Sequence, residues 1–385
     1  MVLWLAVALV ATCAGIDFSN SIEEFIKSSL HFLFPLLILS VLNSAKNDAQ
    51  AIELVISLIK CLALSMGLAA IHSFISSSLG YSIQPKIPGP VTESGQLTMV
   101  IPLALGLCLA GSFRIKLKEK FFYGASLLLI AVGSWPLSLG LSPHLGLIII
   151  SAGLALMVVP TILDKYGSER WSAILLVILL GSLIVNLKRG PWLGVFSAIF
   201  VYGLLSSRKL ALSAVVVAAA IFITFEPVRE RAFDMVDHFN IGGGRGEIWT
   251  LGMELVQRYP LGVGPDNASV IRKMDDQLPE LHRHMHNNLL NITVETGWLG
   301  LTIFCLWIFR LIYSCLFRRK GASDTNPVNI LLLSTGCAVV AWQVAGLVEY
   351  NFGDGEVRLI AFCLTGFIIA LVGIADRQQD GLQEV

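Results

Sequence analysis

The stretch LIAFCLTGFIIALVGIA, residues 359–375, contains neither a charged side chain nor a proline. About 20 apolar helical residues are needed to cross the hydrocarbon core of a bilayer. With the residues that lead into it, this stretch forms a predicted span over 356–375. In lipid the backbone N–H and C=O groups can all form hydrogen bonds only in helices or closed barrels. An apolar run that does not alternate with polar residues favours the helix. The stretch therefore predicts a transmembrane helix.

Apolar segments of this kind recur along the whole chain. Of its 385 residues 55% are hydrophobic and only 14% are charged, and the mean hydropathy is +0.75. Soluble chains carry about 25% charged residues, so a soluble domain is excluded. The sequence predicts an all-α polytopic membrane protein with about 12 transmembrane helices, near 2–16, 29–44, 52–77, 96–113, 121–139, 145–163, 171–187, 191–207, 209–225, 298–317, 328–348 and 356–375.

The predicted spans divide the chain into four parts. These are N-terminal transmembrane helices (1–170), transmembrane helices with a Lys-Arg-Gly motif (171–225), a long loop (226–297), and C-terminal helices with a short tail (298–385). The first basic residue is Lys27, so the N-terminus is interpreted as a membrane helix rather than a signal peptide. A net charge of zero gives no indication of nucleic-acid binding, and the absence of a CxxC motif argues against a disulfide framework.

The basic loops predict the orientation in the membrane. With twelve spans, the segments RIKLKEK (114–120), DKYGSER (164–170), SSRK (206–209) and FRRK (317–320) all fall on one side, together with both termini. Short cytoplasmic loops carry an excess of Lys and Arg, so this side is expected to be cytoplasmic. The long loop then lies on the opposite, non-cytoplasmic face.

Two arginines in glycine-containing motifs are candidates for binding an anion. In NLKRGPWLG (186–194), Lys188 and Arg189 sit between two spans, where a cation is costly unless it reaches water or meets an anion. In IGGGRGEIW (241–249), Arg245 follows three glycines and precedes a predicted helix, whose N-terminus favours phosphate. Guanidinium groups bind phosphate in a bidentate manner. Solvated surface cations explain each motif equally well when it is taken alone.

The segment HRHMHNN (282–288) places three histidines within five residues of a chain that is mostly apolar. If it is helical, His282 and His286 share one face. Three interpretations are open: a metal site, a solvated loop, or one catalytic histidine among polar neighbours. No acidic or cysteine partner stands at a spacing typical of metal ligands. An imidazole with a pKa near 6.5 is suited to act as a general base at neutral pH.

A fourth polar motif, GLVEYNFGDGEVR (346–358), falls on the same predicted face. Its acidic residues Glu349 and Asp354 are candidates for holding the arginines or for closing the site. An ordinary polar turn is the alternative.

The order of these motifs, from KRGPWLG through GRGEIW, PLGVGPDN and HMHNNLLNITVETGWLGL to GLVEYNFGDGE, resembles the O-antigen ligase superfamily. The superfamily also holds O-antigen polymerases. The resemblance covers about 180–360, and the N-terminal half is similar only as a run of membrane helices. It implies a metal-independent, inverting glycosyltransferase without cofactor, whose donor is an undecaprenyl-diphosphate-linked glycan and whose acceptor is a sugar hydroxyl of lipid A–core.

The resemblance also assigns roles to particular residues. Arg189, Arg245 and His286 match the family's functional arginines and histidine, so they are the expected catalytic residues. Many family members have Ser where this chain has Lys188, which leaves the role of Lys188 open. The remaining polar residues of the motifs are expected to bind substrate: Lys188, His282, His284, Asn287, Glu349 and Asp354.

Two other functions are considered. An O-antigen polymerase would use the same chemistry with a second lipid-linked glycan as acceptor. A membrane transporter could also use about twelve helices with embedded charges, but neither inverted repeats nor a need for the long polar loop supports it. The expected partners are therefore the lipid-linked donor, the lipid A–core acceptor and membrane lipid.

Overall fold

A computed structural model describes residues 2–78, 90–110, 170–185, 188–224, 229–230, 233, 244–274, 283–316 and 326–383. Within these ranges every regular element is helical. The helices are α1 (Val2–Ala14), α2 (Phe18–His31), α3 (Leu33–Asn43), α4 (Asp48–Ser78), α5 (Pro90–Ala110), α6 (Arg170–Val185), α7 (Arg189–Ser206), α8 (Arg208–Thr224), α9 (Arg245–Arg258), a 3₁₀ helix (Ala268–Lys273), α10 (Asn288–Leu316), α11 (Pro327–Gly346) and α12 (Gly355–Gln383).

The prediction of a helical multi-pass membrane protein is confirmed. Five segments among the described residues are long and apolar enough to cross a membrane: Phe18–Asn43, Asp48–Ile71, Asn288–Leu316, Pro327–Gly346 and Gly355–Gln378. The predicted spans 121–139 and 145–163 lie outside the described residues. The total of twelve spans therefore stays a prediction.

Two predicted spans are preceded by polar helical segments. Before the span expected near 29–44, α2 begins at Phe18, where the Asp17 carboxylate accepts the Asn20 backbone N–H, and α3 begins at Leu33. Before the span expected near 298–317, the first part of α10 begins at Asn288 and ends at Gly297, whose φ of 69° is not helical, so the part that follows begins at the predicted boundary. Both polar segments carry residues that line the cavity described below.

Small residues bring α7 and α11 into close contact. A Cβ atom at Gly194 would overlap the carbonyl of Ala341, and one at Gly190 would lie 3.1 Å from the Ala345 carbonyl oxygen. Membrane helices pack closely where such residues face each other, because lipid provides no hydrophobic drive for association. This packing sets the Lys-Arg-Gly motif directly beside the turn that follows α11.

The kink in α10 is the docking point for the Gly-Val-Gly turn. The N–H of Val263 donates to the Val294 carbonyl at 2.8 Å, and the N–H of Gly264 donates to the Glu295 carbonyl at 3.0 Å. These are carbonyls that a regular helix would have bonded to its own next turn, and the break at Gly297 releases them. Residues 244–274 of the predicted long loop therefore form α9, this turn and the 3₁₀ helix.

The same turn joins the loop to the N-terminal helices. The Asn267 side-chain amide donates to the Asp17 carbonyl at 3.1 Å and to Ser21 Oγ at 2.9 Å, and the Ile16 N–H donates to the Val263 carbonyl at 3.0 Å. The turn is thereby fixed beside α1 and α2, and side chains from the first half of α1 and the middle of α2 form one wall of the cavity described next.

Candidate active site

The polar ends of the helices enclose a cavity of about 420 Å³. It is lined by side chains from α1, α2, α9, α10 and the segments before α7, α10 and α12. Six of the nine residues that the sequence selected line it: Lys188, Arg245, His284, His286, Glu349 and Asp354.

One end of the cavity is cationic. Burial lowers the pKa of Arg245, Glu349 opposes that shift and Arg189 adds to it, so all three groups are close enough to interact. Burial raises the pKa of Glu349, and the charges of Lys188 and Arg245 act against that change. Lys188 and Arg245 therefore act on one carboxyl, and Arg189, which is not itself part of the cavity lining, lies near Arg245.

Local backbone structure explains this convergence. Arg245 is the first residue of α9, where Gly244 occupies the N-cap position. Arg189 is the first residue of α7. A Cβ at Gly190 would lie only 3.2 Å from the Glu349 carboxyl carbon, so the glycine lets the carboxyl approach the cationic motif.

The described part of the histidine segment, residues 283–287, is not helical, so the condition under which His282 and His286 would share a helical face is not met there. Met285 is fully buried and fixed by two hydrogen bonds. Its carbonyl accepts from Trp249 Nε1 at 2.9 Å, and its N–H donates to Asn291 Oδ1 at 3.0 Å. This anchor leaves the flanking rings of His284 and His286 at the cavity. His282 lies outside the described residues.

His286 has an unusual backbone conformation. Its φ is 48°, in the left-handed region that few non-glycine residues occupy. Its N–H donates to His284 Nδ1 at 3.3 Å, and the two ring centroids lie 4.3 Å apart in an edge-to-face arrangement. A strained residue held by its neighbours inside a cavity is typical of functional sites.

Asn287 contacts protein rather than the cavity. Its Nδ2 donates to the Leu347 carbonyl at 2.9 Å, and its Oδ1 accepts the Leu290 N–H at 3.0 Å. The side chain caps α10 and ties it to the end of α11. The structure therefore places the predicted substrate-binding residue Asn287 in a supporting position.

A buried asparagine pair supports the 349–354 turn. Asn288 Oδ1 accepts the N–H groups of Asn351 at 3.0 Å and Phe352 at 3.1 Å, and Asn288 Nδ2 donates to Asn351 Oδ1 at 2.8 Å. Trp342 Nε1 donates to the same Asn351 oxygen at 3.0 Å. These bonds position Glu349 and Asp354 opposite the histidine segment.

Several lining residues were missed by the sequence analysis. Glu295 is a buried carboxyl that accepts from the Tyr350 hydroxyl at 3.3 Å, and the Tyr350 ring lies 5.4 Å from that of His284. A lone carboxyl in an apolar helix is a functional signal that could have identified Glu295. Glu24 and Asp266 also line the cavity, and nothing in their local sequence distinguishes them from surface acids.

No group of three or more His, Cys, Asp or Glu side chains within the described ranges is arranged to hold a metal ion. Since His282 is not among them, the HxHxH interpretation is not decided by this observation.

Comparison with known proteins agrees with the motifs. The O-antigen ligase family profile matches residues 174–305, which include Lys188, Arg189, Arg245, His286 and Glu295. A protein of Rickettsia conorii, named as a candidate polysaccharide ligase, is 24% identical over 106 residues, or 26% of this chain. The chain spans about a quarter (24%) of that relative's length. The resemblance to the O-antigen ligase family is thus confirmed for this segment, and it supports a membrane function of the ligase or polymerase type.

Proposed function

We propose that the chain is an O-antigen ligase of the bacterial inner membrane. It transfers a glycan from undecaprenyl diphosphate to a sugar hydroxyl of lipid A–core, in a cavity that opens to the periplasm. The observation that carries the proposal is the convergence of Lys188, Arg245 and His286 on one cavity, with Arg189 beside it.

The cationic end suits the diphosphate of a lipid-linked donor. Lys188, Arg189 and Arg245 exceed the carboxyls of Glu349 and its neighbour Asp354 by one charge (three minus two). Guanidinium groups in a partly buried site stabilise the negative charge that develops as a diphosphate departs. These cations lie at helix ends, where the lipid tail of the donor can remain among the apolar helices.

His286 is proposed to be the general base. The acceptor hydroxyl oxygen forms a bond to the anomeric carbon while its proton passes to the imidazole. The bond from that carbon to the diphosphate oxygen breaks, and the electron pair leaves with the lipid diphosphate. Attack opposite the leaving group inverts the anomeric carbon. A diphosphate leaves without an obligatory acid, so one base and the cations suffice, and no metal or cofactor is required.

The proposed orientation in the membrane follows from which residues lie at each end of the helices. The Arg377 guanidinium pairs with Asp48 at 2.7 Å, which puts the end of α12 and the start of α4 at the same end. The turns with Lys188, His286 and Glu349 lie at the other ends of their helices. The basic-loop pattern assigns the first end to the cytoplasm, and the cavity to the periplasm.

The test is transfer by the purified full chain in detergent or liposomes. The donor is an undecaprenyl-diphosphate-linked glycan, and the acceptor is either lipid A–core or a second lipid-linked glycan. We expect product on lipid A–core. Product only on the lipid-linked glycan would assign the polymerase reaction instead, and no product on either would refute the proposed chemistry.

Variants separate binding from proton transfer. We expect Arg245→Ala to weaken donor binding and turnover, with poor rescue by Lys, while Arg258→Ala, an exposed arginine on the same helix, changes neither. We expect His286→Ala to lose about 10²–10⁴-fold in turnover with donor binding retained. Activity should persist in EDTA. A complete loss that one divalent ion restores would revive the metal interpretation.

A further inference from the structure

The charged groups of the cavity form two sets, and Asp354 lies between them, since it interacts with Glu349 and with Arg358. Arg245 and Glu349 interact with each other and with Lys188 and Arg189. Glu295 instead interacts with Asp266 and Glu24. The second set therefore forms a different end of the cavity, which we call the carboxyl end, and the proposed donor chemistry does not use it.

Aromatic side chains wall the carboxyl end. Trp4 is buried and packs edge-on against Phe352 with centroids 5.9 Å apart, and Phe25 and Tyr350 complete the lining. Small-molecule sites are of this kind, with apolar walls and a few convergent polar groups, and they measure about 300–1,000 Å³. A cavity of about 420 Å³ has room for a sugar in addition to a diphosphate.

The arginines at the carboxyl end interact with acidic side chains of the protein. Arg358 is 7% exposed, and its guanidinium pairs with Glu24 at 2.6 Å and donates to Ser28 Oγ at 2.5 Å. Arg283 is exposed and lies within electrostatic reach of Asp266. Neither arginine is paired with Glu295. The Glu295 carboxyl accepts one hydrogen bond from the Tyr350 hydroxyl and can accept another from a ligand.

Two lining residues each keep a buried polar atom without a hydrogen-bond partner among the described residues. One is Arg358 Nε, a donor, and the other is Asp354 Oδ2, an acceptor. Buried polar atoms are nearly always paired, so both call for a partner. Both atoms are inaccessible to water, so they mark a polar wall beside the cavity rather than direct contacts of a ligand.

We propose that the carboxyl end is the acceptor subsite, where Glu295, Asp266 and Asp354 receive hydrogen bonds from hydroxyls of an unphosphorylated sugar. This rests on the proposed function and names the chemistry of its acceptor. A phosphorylated sugar would bring oxygens without donor protons against these carboxyls, whereas the hydroxyls of an unphosphorylated sugar can donate to carboxyl oxygens. Much of this wall comes from α1 and α2, outside the segment that matches the family profile.

The test measures the acceptor KM with the full chain and an undecaprenyl-diphosphate-linked glycan as donor. The acceptor probe is a lipid-anchored oligosaccharide ending in an unsubstituted hexose, with analogues that each lack one hydroxyl. Asp266→Asn is the principal variant, because asparagine tolerates the left-handed backbone of this position, where φ is 60°. Glu295→Gln is the second variant. Glu254→Gln is the matched control, since Glu254 lies on the outer face of α9 and does not line the cavity.

We expect each of the two cavity variants to raise the acceptor KM by up to about tenfold, as for the loss of one hydrogen bond, with donor binding and the control unchanged. For at least one acceptor that lacks a hydroxyl, the KM of the wild type should rise about tenfold, whereas the KM of the Asp266→Asn variant should change little. Such non-additive effects indicate that Asp266 contacts that hydroxyl directly. An unchanged acceptor KM in Asp266→Asn would refute the subsite alone. So would effects of the missing hydroxyl that are the same in the wild type and in the variant for every deoxy acceptor. No product from the wild type with any acceptor would refute the proposed function and the subsite together.

Discussion

His284 is expected to hold the proposed base, and His284→Ala tests this. In the structure His284 Nδ1 accepts the His286 N–H at 3.3 Å, and its ring packs against the His286 ring at 4.3 Å. His286 needs such support because its φ of 48° is disfavoured for a residue with a Cβ. Removing the His284 ring should release His286 into other backbone conformations.

The size of the effect follows from the contacts that are lost. A hydrogen bond contributes about 0.5–1.5 kcal/mol and an edge-to-face ring pair about the same. Together they amount to about 1–3 kcal/mol, so the population of the held conformation falls about 5- to 150-fold. The turnover of His284→Ala should fall by this factor, which is smaller than the loss from removing the base itself.

The assay is the single-turnover rate of glycan transfer, measured beside donor affinity. His284→Asn is the matched variant, because an asparagine side chain commonly accepts the N–H two residues further on and can replace Nδ1 in this role. It should recover the hydrogen-bond part of the loss and stay within about tenfold of the wild type. Donor affinity should change little in either variant.

Two results would contradict this reasoning. If His284→Ala is inactive while His286→Ala transfers glycan normally, the wrong ring has been identified as the base. If His284→Asn is as impaired as His284→Ala in a folded protein, the backbone hydrogen bond does not position the site.

Three further outcomes are expected. Asn288→Ala should lower the free energy of unfolding by about 2–6 kcal/mol, because it leaves the buried N–H groups of Asn351 and Phe352 without an acceptor; an unchanged melting temperature in detergent would count against this. Gly297→Ala should destabilise α10 by at least about 1–2 kcal/mol, since alanine disfavours a φ of 69°, and a melting temperature equal to that of the wild type would contradict it. Burial raises the pKa of Asp354 from 3.8 to about 6, so the folded state holds the proton more tightly than the unfolded chain. The stability of the wild type relative to Asp354→Asn should therefore fall as the pH rises from about 4 to about 6 and then level off; a relative stability that rises over this interval would reverse the assignment.

The sequence indicated the helical membrane architecture because hydropathy is a local property. A run such as 359–375 must be a helix in lipid whatever surrounds it. The boundaries were less predictable, because Asp17 and Asn287 begin their helices by accepting backbone N–H groups rather than through apolar length. The non-helical conformation of residues 283–287 was not predictable for a similar reason. Met285 is bonded to Trp249 and Asn291, and these tertiary contacts overrule local helix propensity.

Most of the candidate site could be predicted, since Arg245, His286 and Glu349 stand in polar motifs that an apolar chain would not otherwise carry. The carboxyl end could not. Glu24 and Asp266 are separated by more than two hundred residues, and they meet because Asn267 bonds to Asp17 and Ser21 and draws the loop onto α1 and α2. By itself the sequence determined which segments enter the membrane and which residues can bind charge. Only the tertiary structure decided which of them share a cavity, because proximity depends on long-range hydrogen bonds and helix packing that no local pattern records.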